Sequence, residues 1–121
     1  MPIEHEGEGR MQTSTHVGHD GTVRLVLDGE IDLQVKDEFE IRLRDLLATD
    51  APGVIIDVTA VTFMDSSGIG VLVRGYQKAQ TTGKEFRITG AQGRVLRVLE
   101  VTGVAELLAA GSARFRAADT P

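Results

Sequence analysis

At 121 residues, with 41% hydrophobic and 26% charged residues, the chain suits one globular domain with one core, which argues against wholesale disorder. The formal charge of −5 and the lack of a Lys/Arg-dense run argue against a surface that tracks nucleic-acid phosphates. The absence of cysteine excludes disulfides, thiolate metal sites and cysteine nucleophiles, and fits a cytoplasmic protein.

Residues 1–10 are rich in Glu and Gly without periodicity and read as a disordered leader. They contain no apolar segment of the kind a signal peptide needs. No stretch of the chain approaches the roughly 18 apolar residues of a membrane span. His5, His16 and His19 fall in or near the leader, without the converging ligands a metal site requires, so they read as solvated.

Thr22–Asp32, TVRLVLDGEID, alternates Val23, Leu25 and Leu27 with Arg24, Val26 and Asp28, a strand pattern. Asp20-Gly21 ahead of it is a hairpin signal, so an earlier strand over Met11–Val17 should pair antiparallel. After Asp32 the period changes: Val35, Phe39, Leu43, Leu46 and Leu47 mark one face of a helix. Asp32 is a candidate N-cap, with Asp37 and Glu38 where the helix dipole favours acids. Pro52-Gly53 closes that unit.

Gly53–Val61 is short, β-branched and apolar, and reads as a strand covered on both faces. Ile69, Leu72, Val73, Tyr76 and Ala79 then form a helical stripe, ending at Gly83. Glu85–Gly90 is a further strand and Gly93–Gly103 a further helix. VAELLAA suits a last short helix, and 111–121 reads as a flexible tail. The order β-β-α-β-α-β-α predicts an α/β fold, a mixed sheet of four to five strands with helices packed against it.

The segment FMDSSGIG, Phe63–Gly70, carries the chemistry. Asp65, Ser66 or Ser67 could cap the helix, and Gly68 and Gly70 would allow a tight turn. A serine hydrolase does not fit: the string departs from G-x-S-x-G, and every histidine lies in the first 19 residues, leaving no general base. A phosphate-binding P-loop and a dinucleotide loop fail on spacing. A third reading is a switch: a hydroxyl at a helix start can take a phosphate of about −1.5 to −2 charges at pH 7. That charge would lie beside Asp65, and near Asp32 if GEID shares the same end of the sheet.

GEID, Gly29–Asp32, followed by a helix and by VIIDVTAVTFMDSSGIGVLVRGYQKAQTTGKEFRITG, Val54–Gly90, resembles the STAS domain of bacterial anti-sigma factor antagonists. The resemblance covers Met11 to Leu108, and its specific signature is D-S-S-G-I-G behind an apolar strand with G-E-I-D upstream. It implies binding to an anti-sigma factor that is also a serine kinase, with release of the sigma factor. It further implies that phosphorylation of Ser67, the second serine of the pair, turns binding off and that a PP2C-type phosphatase restores it. On this resemblance Asp32, Asp65, Ser66, Ser67 and Gly68 form the partner surface. It implies no cofactor, metal site or catalytic activity in the chain itself, while a weak homodimer stays open. The alternative is a non-switching STAS scaffold or adaptor in a stress-signalling or transporter-associated assembly. The long leader and the Ala-rich segment after Gly103 depart from the usual pattern and leave contacts near the ends open.

Overall fold

A computed structural model describes residues 11–110 and 114–117. The strands are β1 (Met11–Val17), β2 (Val23–Ile31), β3 (Gly53–Met64), β4 (Glu85–Ala91) and β5 (Arg114–Ala117). The helices are α1 (Lys36–Leu47), α2 (Ser66–Thr82), α3 (Gly93–Val101) and α4 (Val104–Ala110), with a single 3-10 turn, Leu33–Val35, leading into α1.

The five strands lie side by side in chain order. The hairpin β1–β2 is antiparallel, and every later pairing is parallel. Gly21 has φ 87° in the hairpin turn, a conformation that favours glycine. Strands laid down in order with right-handed crossovers carry their connecting helices to one face of the sheet. Accordingly α1 packs on α2, and α2 on α4, in one layer.

The core lies between that layer and the sheet. Leu25, Leu27, Val54, Ile56, Phe86 and Ile88 meet Val35, Phe39, Leu43, Leu47, Leu72, Tyr76 and Ala79, all buried. The periodicities of the sequence are therefore real faces. Leu46 and Val73 sit at the edges of their stripes, only partly buried.

The expectation that Gly53–Val61 is covered on both faces is corrected. Val54, Ile56 and Val58 are buried, but Ile55 and Asp57 are only partly so and Thr59 is exposed. The other face of the sheet holds charge instead. There Arg24 Nη1 donates to Asp57 Oδ2 at 3.0 Å. Burial pushes the Asp57 carboxyl up, but hydrogen bonds from Thr59 and the Arg24 guanidinium outweigh it and leave it below the usual carboxylate value.

The C-terminal segment also differs from expectation. The leader, 1–10, lies outside the described residues. Within the expected tail, Arg114–Ala117 forms β5 against β4; residues 111–113 and 118–121 lie outside the described residues. Four residues carry too little local signal to announce a strand, and pairing along β4 supplies it.

Two contacts set the spacing of α1 and α2. Arg74 grips Glu40 with two hydrogen bonds, Nε to Oε2 at 2.6 Å and Nη2 to Oε1 at 3.1 Å. Below them Gly75 lets the helices close: a Cβ there would stand 2.5 Å from Leu43 Cδ2 and 3.1 Å from Phe86 Cε2. Gly75→Ala should therefore cost about 1–3 kcal/mol in urea unfolding. Gly70→Ala, whose Cβ would stand 3.2 Å from Arg74 Nη1, should gain up to about 1 kcal/mol from helix propensity, less what the Glu40-bound guanidinium loses in shifting to make room.

The Arg74 hydrogen bond holds the Glu40 carboxyl below its ordinary 4.5. A depressed carboxylate stabilises the fold above its unfolded pKa, and the contribution is lost as pH falls through the folded value. Arg74→Ala should cost about 0.5 kcal/mol at pH 7. That difference from the wild type should shrink as unfolding is measured at successive pH values below 4.5.

Candidate functional site, the paired acidic turns at the strand ends

Strands β2 and β3 run parallel and end side by side, with Ile31 paired to Met64. The chain leaves each strand through an aspartate. Asp32 Oδ1 accepts from Gln34 N at 3.0 Å, and Asp65 Oδ1 accepts from Ser67 N at 2.9 Å. Both aspartates have extended backbones, as N-caps do. The two turns are tied directly, because Asp65 N donates to Ile31 O at 3.1 Å. GEID and DSSG, far apart in sequence, thus form one surface, as the switch reading required.

Asp32 caps the 3-10 turn, not α1 itself, whose N-cap position is Val35. Asp65 caps α2. The capping question raised by the two serines is thereby answered: the carboxylate caps, and neither serine side chain does. Ser66 is exposed and Ser67 partly buried. Among the described residues the Ser67 hydroxyl makes no hydrogen bond.

Gly68 fixes the depth of the helix start. A Cβ at this position would lie 2.8 Å from both Ile31 Cγ2 and Met64 Cγ. Only glycine lets the first turn of α2 rest on the two strand ends. Gly68 itself is buried beneath the turn.

All five residues singled out in the sequence meet at this end of the sheet, while two neighbours escaped notice. Leu33 is 71% exposed and Phe63 38% exposed, each next in sequence to a functional turn. Leu33 lies off the apolar stripe of α1, a signal that was available. Phe63 was not legible, because register shifts in the β2–β3 pairing decide which β3 side chains face out. With Glu30, Thr62 and Arg94, Phe63 lines a shallow depression beside the site.

A family model for the STAS domain matches residues 14–117. The chain belongs to the STAS-domain family. It is 27% identical over 86 residues to an anti-sigma-B factor antagonist of Listeria monocytogenes, covering 71% of this chain and 75% of that protein. The crystal structure of an anti-sigma factor antagonist from Mycobacterium paratuberculosis has the same fold, at TM-score 0.74 and 24% identity, covering 86% and 85% of the two chains. The phosphorylated form of the Bacillus cell fate determinant SpoIIAA also shares it, at TM-score 0.66 and 17% identity, covering 88% and 90%.

Removing the cap should weaken the helix start without touching the core. Asp65→Ala should cost about 1 kcal/mol of stability and Asp65→Asn much less. Ser67→Ala should stay within about 0.5 kcal/mol of wild type. Denaturant midpoints of the three variants check this assignment.

Proposed function

We propose that this protein is an anti-sigma factor antagonist whose binding surface is the pair of acidic turns, switched off by phosphorylation of Ser67. The observation that carries it is the Ser67 hydroxyl, free of hydrogen bonds at the first turn of α2 and set beside the Asp65 carboxylate. The relatives named antagonists support the reading, as does the solved neighbour in a phosphorylated form.

The physical logic is a change of interface and not of fold. A phosphate at a helix start is tolerated by the fold, since the dipole and free N–H groups favour an anion. The same group adds about −1.5 to −2 charges next to Asp65 and across from Asp32. A partner closing over this surface would have to desolvate that charge. Exposed Leu33 and Phe63 provide apolar contact area in the unmodified state, and burying them is worthless to a partner that cannot close.

The chemistry belongs to the partners in this reading. An anti-sigma factor with serine kinase activity transfers the phosphate, a PP2C-type phosphatase removes it, and this chain has no catalytic activity. Its setting is the cytoplasm. Among the described residues no helix is long and apolar enough to cross a membrane.

Incubation of the purified protein with ATP and each anti-sigma-type kinase of the same genome, read by intact mass, tests the proposal. One added phosphate is expected, absent in Ser67→Ala. Ser67→Asp should bind that kinase at least about tenfold more weakly than wild type, and Ser67→Ala as tightly. A phosphate that persists in Ser67→Ala would move the acceptor to Ser66. No phosphate from any kinase, with binding unaffected by Ser67→Asp, would favour the scaffold reading.

A further inference from the structure

The outer edge of β1 points to a second copy of this chain. β1 is an edge strand, and none of the described strands pairs with its outer side. Edge strands of soluble proteins are usually shielded by Lys, Pro or a bulge. Met11–Val17, MQTSTHV, has no Lys, Arg, Asp, Glu or Pro, and its pairing with β2 runs without a register shift. Val17 at its end is 69% exposed.

The register of the hairpin says which backbone groups are available. Gly18 N donates to Thr22 O at 2.8 Å, so the pairs that exchange hydrogen bonds with β2 are His16 with Arg24, Ser14 with Val26 and Gln12 with Asp28. By alternation the N–H and C=O groups of Met11, Thr13, Thr15 and Val17 point outward. We propose that two copies join antiparallel through these groups, about a two-fold axis at Ser14 and perpendicular to the sheet.

That register is self-complementary along the whole strand. Thr13 meets Thr15 of the second copy and Met11 meets Val17, all with outward-facing groups, and each pair exchanges two N–H···O bonds. Ser14 faces its own copy in a non-hydrogen-bonded pair, and Gln12 faces His16. A shift by two residues keeps the hydrogen-bond phase but shortens the overlap. Threonine against threonine is a favourable cross-strand pair, and no like charges meet. An isologous contact of this kind closes as a dimer and cannot propagate. The axis reverses strand direction, so the two Ser67 surfaces point to opposite ends of a ten-stranded sheet and both stay open. The dimer would present two independent partner sites, and its existence does not depend on the switch reading.

The chain has no cysteine, so a single introduced thiol reports the geometry. Residues opposed in a non-hydrogen-bonded pair have Cα atoms about 4.5 Å apart, within disulfide range. Under mild oxidation Ser14→Cys should form a covalent dimer. Gln12→Cys, which faces His16, should not. Thr15→Pro removes an outward donor twice per dimer and leaves the pairing with β2 intact. In sedimentation equilibrium the wild-type mass should rise with concentration above 13.0 kDa. Thr15→Pro should weaken that association about tenfold or more. A Ser14→Cys protein that stays monomeric, or equal cross-linking by Gln12→Cys, overturns the proposal. So does a wild-type mass that does not rise with concentration, the result expected if another segment of the chain covers the edge.

Discussion

The hydrogen bond from Asp65 N to Ile31 O, 3.1 Å long, is the constraint around which the functional end of the molecule is organised. It joins two turns separated by a whole helix and strand, and it does so where β2 and β3 leave the sheet. With the turns joined, Asp32 and Asp65 occupy one surface. With Gly68 seated against Ile31 and Met64, α2 begins at a fixed depth, with Ser66 exposed and Ser67 partly buried in its first turn. Behind this arrangement stands a buried floor of Ile31, Met64, Ile69 and Leu72, which leaves little freedom to rearrange.

The proposed switch separates stability from signalling. The cap is provided by carboxylates, so the serine hydroxyls are not needed for folding. A group that carries no structural duty can be modified without unfolding the domain. In the proposed switch the modification is then felt at a contact whose neighbours are already acidic. Electrostatic repulsion at an exposed surface is weak in water, but it grows once a partner excludes the solvent. A phosphate can therefore be nearly neutral for the free protein and costly for the complex.

The two-layer architecture has a further consequence. On the face of the sheet opposite the buried side chains of β2 and β3, the Arg24–Asp57 pair stands where a hydrophobic layer would otherwise lie. Among the described residues nothing pairs with the outer edge of β1. The acidic turns, at the ends of the parallel strands, are remote from that edge in direction if not in sequence. The proposed partner at the turns and the proposed second copy at the edge would use different parts of the backbone.

Local rules made much of this visible in the amino-acid sequence. The stripes Val35–Phe39–Leu43–Leu47 and Ile69–Leu72–Tyr76–Ala79, the alternation from Val23 to Leu27, the hairpin at Asp20-Gly21 and the stop at Gly83 each depend on a few neighbouring residues, and all stand in the fold. DSSG was legible as a helix start for the same reason. Four features depended on residues distant in the chain. That β3 is covered on one face follows from which side the helices cross. That Arg114–Ala117 is a strand follows from the free edge of β4. That Phe63 faces out, and that Asp65 rather than a serine holds the Ser67 amide, follows from register shifts and a turn geometry set by the β2–β3 pairing. Periodicity records which side of an element is apolar; only packing settles what lies opposite it and which of several competent side chains wins a given hydrogen bond.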